Sequence, residues 1–213
     1  MTFLAAPLWM FTGFAPVLNS YTTSQTITAP VGCTQGVAEL FGATGGGGTA
    51  CAFGKIVHTI CGNAGGCGGY SKSTIAITGG QTVILTRGTG GIAGSGTSGT
   101  TTAGTGTVST LASGTKTITT MTCNGGVGGG DSNIVTGANG PSGTGGTASG
   151  GTDTNTTGTT GPLGGTDTGI TSGVAMTGVN GNGNTGGNGG GGTGGSVTAP
   201  TAGNTGILYI RWT

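Results

Sequence analysis

A chain of 213 residues that holds 56 glycines and 46 threonines leaves little for an ordinary core: Leu, Ile, Val and Phe together number 36, below the ~20% at which such a core becomes doubtful. Only nine residues are charged, five cations and four carboxylates, for a net charge of +1. That excludes the basic stripe of a nucleic-acid binder and the polybasic patch of a membrane-surface anchor. General acid–base catalysis needs positioned titratable groups, and with one histidine, His58, the chain is expected to be no enzyme and to hold no cofactor and no metal. Disorder is the plain alternative for such a composition, but disordered chains are usually held open by net charge, and here there is almost none.

Residues 3–18, FLAAPLWMFTGFAPVL, form the one strongly apolar stretch. Pro7 and Pro16 interrupt it, it falls short of the ~20 residues of a membrane-spanning helix, and no Lys or Arg precedes it as in a signal peptide. Phe3, Trp9, Phe11 and Phe14 read as an anchor, within a segment 1–24, that docks on a partner; a first strand packed on the chain's own core is the competing reading. From 25 to 123 short strands are divided by glycine turns. Gln25–Ala29, Val37–Phe41, Lys55–Ile60, Tyr70–Thr78, Gln81–Thr86, Thr107–Leu111 and Thr115–Cys123 are the expected strands, with Ser71, Ser73, Ile75 and Ile77 on one parity and Val83 and Leu85 on one face. Gly79-Gly80 reads as the turn of a hairpin between its flanking strands. Regular short strands of this kind predict an all-β fold, a small antiparallel β-sandwich.

Residues 124–203 are mostly Gly, Thr, Asn and Ser, and read as a large insertion. Glycine keeps threefold register at Gly137, Gly140, Gly143 and Gly146, and again from Gly183 to Gly195. Such a run is either long loop or a bundle of polyglycine II-type helices, whose three-residue turn lets glycines approach closely. The segment 204–213 contains Gly206-Ile-Leu-Tyr-Ile-Arg-Trp212, a closing strand expected to pair within the first sheet. Motifs for chemistry are absent. Gly54-Lys55 is followed by Ile56 and makes no phosphate loop, and His58 with Cys61 lacks the second ligand pair that zinc requires. Asn155-Thr-Thr157 is a formal glycosylation sequon.

Several stretches carry a resemblance. Ala29-Pro-Val-Gly32, Val37-Ala-Glu-Leu-Phe-Gly-Ala-Thr-Gly-Gly-Gly-Gly48, Gly68-Gly-Tyr-Ser-Lys72, Ile75-Ala-Ile-Thr-Gly-Gly-Gln-Thr82 and the closing strand occur in one order. Over residues 25–88 and 204–213 the chain resembles the glycine-rich domain of bacteriophage virion proteins, chiefly tail and fibre components. The resemblance implies a non-catalytic virion protein, a minor capsid, decoration, collar or fibre subunit assembled in copies (a trimer is one such assembly) with other virion proteins. The alternative it leaves open is a receptor-binding tail-fibre adhesin that meets a host surface receptor through glycine-rich loops. A virion persists in oxidising surroundings, where disulfides survive, and a thin core benefits from staples. Cys33, Cys51, Cys61, Cys67 and Cys123 are an odd number, so local pairing among the first four is expected, with Cys123 left to crosslink a neighbouring subunit.

Overall fold

The structure is a computed structural model that describes residues 14–49, 51–53, 58–60, 62–95, 103–131, 141–161 and 200–213, with the backbone alone described at 51–53 and 58–60. Within these residues the chain is all-β. The strands are β1 (Val17–Tyr21), β2 (Gln25–Thr28), β3 (Gln35–Phe41), β4 (Cys51–Phe53), β5 (His58–Ile60), β6 (Tyr70–Ala76), β7 (Thr82–Thr86), β8 (Ser109–Ser113), β9 (Met121–Cys123), β10 (Ala148–Ser149), β11 (Thr154–Thr156) and β12 (Ile207–Trp212). One antiparallel sheet runs β1-β12-β3-β6-β11, a second runs β10-β9-β8-β7-β2, and β4 pairs with β5 alone. The closing strand β12 lies between β1 and β3, so the first and last described strands pair in the first sheet.

Period-two alternation builds the core between the two sheets. Ala38, Leu40, Ile75, Leu208, Ile210 and Trp212 face inward from the first sheet and meet Ile27, Val83, Leu85, Leu111, Met121 and Cys123 from the second. Trp212 is paired in register with Gly36, and its ring fills the space over that glycine: a Cβ there would lie 2.8 Å from the indole. The expected parity holds, because Ser71, Ser73, Ile75 and Ile77 are buried, as are Val83 and Leu85.

Three expectations change. Val17–Tyr21, assigned by sequence to the anchor segment, is an edge strand of the first sheet. Gly79-Gly80 does form a tight turn, with Gln81 N–H donating to Thr78 O at 3.1 Å and Gly80 at φ +85°, but it joins no hairpin. Both sides of β6 are occupied, by β3 and β11, and beside β2 the Ala29 N–H donates to Gln81 O while Gly80 N–H donates to Ala29 O, so the turn carries the chain from one sheet to the other. The Thr115–Cys123 strand shrinks to Met121–Cys123.

The glycine stretches are organised too. Eight segments, g1 (42–49), g2 (62–69), g3 (88–95), g4 (103–108), g5 (124–131), g6 (141–147), g7 (157–161) and g8 (200–206), lie outside the strands and bond to one another. Gly42, Gly45 and Gly48 of g1 donate to Gly69, Gly66 and Asn63 of g2. Thr44 and Gly47 donate to Asn204 and Thr201 of g8, and Gly46 donates to Gly104 of g4. Three successive N–H groups, of Thr44, Gly45 and Gly46, therefore reach three different neighbours, and g8 and g2 are each met again three residues later. That is the step of a polyproline II helix, which turns 120° per residue and makes no bonds within itself. The same step links g2 to g5 (63/130, 66/127, 69/124) and g5 to g6 (124/147, 127/144, 130/141). Among the described residues these segments bond with the step of polyglycine II-type helices in a bundle. Of the glycines that keep threefold register in the sequence, Gly137, Gly140 and those from Gly183 to Gly195 lie outside the described residues. Several of the segments occupy stretches that the sequence presents as turns between strands.

The glycines are required by the spacing. A Cβ on Gly45 would fall on the carbonyl of Val127, and one on Gly65 on the carbonyl of Gly45, far inside contact distance. Where a side chain would stand, the Cα–H meets a neighbour's carbonyl. One N–H···O bond of about 1 kcal/mol and such a contact of ~0.5–1 kcal/mol together match the ~1–2 kcal/mol cost of fixing a backbone residue. On those magnitudes the bundle is near balance and depends on the sandwich for its register. Each segment continues a sandwich strand: β3 runs into g1, g2 into β6, β7 into g3, g4 into β8, β9 into g5, g6 into β10, β11 into g7 and g8 into β12. Strand pairs hand their ladders on, as Phe41↔Tyr70 does to Gly42 and Gly69.

Candidate binding face

The side chains that the sequence marks for contact fall in several places. Phe14 is partly buried and packs against the sandwich core, so this chain itself receives that ring. Phe3, Trp9 and Phe11 lie outside the described residues. Cys33 and Cys123 are free thiols, and both are buried, as is Cys67. This corrects the local pairing expected of Cys33 and the crosslink to a neighbouring subunit expected of Cys123. The Cys123 thiol faces the Leu40 carbonyl at 3.3 Å between the sheets, where burial pushes it up to about 12, so it is neutral and inaccessible to a neighbouring subunit. The Thr159 hydroxyl donates to Cys67 Sγ at 3.1 Å within the bundle. Cys61 lies outside the described residues; Cys51 is described by its backbone, which pairs it with Ile60. His58 likewise is placed only by its backbone, opposite Phe53. Asn155 of the sequon is committed to structure: its Oδ1 accepts from Ser71 Oγ at 2.8 Å and from Gly151 N–H at 2.9 Å, and its Nδ2 donates to Gly151 O at 2.8 Å.

The outer face of the first sheet gathers a cluster of the chain's few charges. Glu39, Lys72, Arg211 and Asp153, four of the nine charged residues, stand on or beside it. Register places them in rows across the strands. Leu18, Arg211, Val37 and Thr74 form one row, Ser20, Tyr209, Glu39, Lys72 and Thr154 the next, and Ile207, Phe41, Tyr70 and Thr156 a third. Within a row, neighbours stand roughly 5 Å apart.

These rows surround a depression of about 410 Å³ lined by Leu18, Val37, Glu39, Lys72, Tyr209 and Arg211. Glu39 is held from two sides, since Tyr70 donates its hydroxyl to Oε1 at 3.0 Å and Lys72 Nζ lies 3.8 Å from the same atom. The Phe41 ring fixes its aromatic neighbours, tilted against Tyr70 at 4.8 Å between centroids and edge-on to Tyr209 at 6.2 Å. Asp153 accepts from the Thr74 hydroxyl at 2.7 Å, and this bond, with the Thr152 hydroxyl and the Lys72 charge, holds its carboxyl below the usual range. Arg211 and the Tyr209 hydroxyl have no hydrogen-bond or ion-pair partner among the described residues. The face is therefore satisfied at Glu39 and unspent at Arg211.

Sequence reading assigned these residues no role. The signal was there: Glu39, Lys72, Tyr209 and Arg211 share the outward parity of three expected strands, and that parity carries the charge. Among the described residues no three His, Cys, Asp or Glu side chains gather as a metal site requires, and no helix is long and apolar enough to cross a membrane. Comparison with models of known protein families gives no match, and comparison with curated proteins gives none.

Proposed function

We propose that the chain is a non-enzymatic structural protein of a bacteriophage particle, a minor capsid, decoration, collar or fibre subunit carried in several copies among other virion proteins and released with the particle. The observation that carries this reading is the bundle itself. Eight segments spend their backbone polar groups on one another and grow directly out of sandwich strands, which makes a stiff body suited to bearing shape. The motif agreement over 25–88 and 204–213 supplies the phage context. Imaging intact particles with this chain labelled, and counting copies, tests the proposal: many copies mean decoration, a few mean collar or fibre, and absence from purified particles overturns it. Removal of residues 1–13, sparing Phe14 and β1, is expected to leave a folded protein that no longer joins the particle.

A second reading, a receptor-binding tail-fibre adhesin, is favoured by one feature of the topology. The residues flanking 50–61, 96–102, 132–140 and 162–199 all lie at the end of the bundle remote from the sandwich. These flanking residues thus share one end of a rigid support, a position that suits recognition of a host surface. Purified protein that competes with particles for adsorption to host cells supports this reading; no competition at saturating protein removes it.

A further inference from the structure

We propose that the depression on the outer face of the first sheet binds an acidic sugar unit, a pyranose ring bearing a carboxylate, with Arg211 taking the carboxylate and Tyr209 lying against the ring. The argument rests on what the lining residues leave unspent. Arg211 is exposed, has no partner among the described residues, and presents the planar fork that matches a carboxylate with two parallel hydrogen bonds. Leu18 and Val37 flank it in the same row, and Tyr209 stands in the next. Together they give an apolar surface on which the C–H face of a sugar ring can lie, with a phenol hydroxyl at its edge. On the far side the Glu39–Lys72 pair, 3.8 Å apart and partly exposed, offers an acceptor and donors to ring hydroxyls. The volume of about 410 Å³ lies within the ~300–1,000 Å³ of small-molecule sites.

The composition of the site selects among ligands. A bare anion would use Arg211 and leave the apolar half uncovered. A neutral sugar would use the platform and leave Arg211 unpaired, and a purely apolar ligand would bury Glu39 and Lys72 against nothing polar, at a desolvation cost. Only a ring with both a carboxylate and hydroxyls uses every lining group. The Phe41 and Tyr70 rings behind the second row keep the platform fixed before a ligand arrives, which lowers the ordering cost of binding. The site does not depend on membership of a particle, since its residues come from one sheet of one chain.

The test uses the full chain, isotope-labelled, titrated with glucuronate, galacturonate and N-acetylneuraminate, with glucose and acetate as controls. At least one acidic sugar is expected to saturate with a dissociation constant around millimolar or tighter, moving the Tyr209 and Arg211 side-chain signals. Glucose and acetate are expected to bind at least about tenfold more weakly, and R211Q to weaken the acidic sugar by about tenfold or more, as loss of a charged hydrogen bond implies. Because Arg211 is exposed, R211Q should melt with the parent. Three results each overturn the proposal: no movement at Tyr209 and Arg211 with any of the three sugars, acetate binding as tightly as they do, or R211Q binding as the parent does. Particle imaging bears on the virion reading alone, so the two can fail separately.

Discussion

The sandwich and the bundle are two solutions to one problem in the same chain. In the sandwich the sheets are held apart by Leu40, Leu111, Trp212 and their neighbours, so stability comes from apolar burial, and facing sheets stand about 10 Å apart. In the bundle the layers touch through backbone. Ala43 and Gly46 of g1 accept from Gly126 and Gly129 of g5, although the strands that feed these segments, β3 and β9, belong to opposite sheets. As side chains give way to glycines, two layers that cannot hydrogen-bond become one lattice that can. A protein short of apolar residues can thus still build an interior, provided that a conventional core fixes where it begins.

The comparison breaks most sharply at a bundle glycine. Gly45→Ala places a methyl against backbone atoms of Val127 and Gly128, which cannot rotate away. Its cost is expected to exceed the ~1–3 kcal/mol of ordinary overpacking, and the variant should yield little soluble folded protein. A Gly45→Ala protein that unfolds in denaturant like the parent would mean that the segments are not packed as described. In the sandwich, Leu111→Ala should cost about 2–5 kcal/mol through the cavity it leaves, read as a lower denaturation midpoint of a protein that still folds.

Alkaline titration separates the halves more finely. Cys123 is held up to about 12 from an ordinary 9.0, so the fold prefers its neutral thiol. That preference is complete below pH 9 and is lost as pH rises toward 12, because the unfolded chain releases the proton first. Tyr21, raised by burial, acts in the same direction. Cys123→Ala should lose less stability than the parent between pH 9 and 11 by denaturant titration; parallel curves would remove Cys123 as the cause. Smallest is Gly80→Ala at the turn between sheets. Its Cβ would meet nothing within 4 Å, and only the φ of +85° penalises it, by about 1 kcal/mol. A thermal melt comparing it with Gly45→Ala contrasts a glycine needed for its angle with one needed for its absence of bulk.

The same contrast explains how much the sequence could tell. β3, β6, β7 and β12 are legible because Val37-Ala-Glu-Leu-Phe41 and Ile207-Leu-Tyr-Ile210 alternate or run apolar over several residues. The sandwich follows from them. β1 was hidden in the apolar run that ends at Leu18, and β10 and β11 are too short, in Ala148-Ser149 and Thr154-Asn-Thr156, to show a period. The threefold step was readable as a possibility, but its partners were not. Whether Gly45 faces Gly66 or solvent is settled by which strands flank it, and eight residues of glycine between two strands look like any turn. Among site residues, the odd count of cysteines leaves Cys123 for a crosslink, whereas its own strand, inward at Met121 and Cys123, decides its place. Arg211 and Glu39 were visible as outward residues, and only the order of strands across the sheet brought them together.

The handover from strand to glycine segment also has a thermal consequence. The heat-capacity change of unfolding arises mainly from apolar surface newly exposed to water, and exposed peptide groups subtract from it. The bundle releases almost no apolar side chain when it opens, and many amides. Calorimetry should therefore give a heat-capacity increment below the ~12–15 cal/mol/K per residue of ordinary domains, and a stability curve flatter with temperature than chain length suggests. A body built this way keeps much of its margin on cooling, when cores held by apolar burial alone grow weaker.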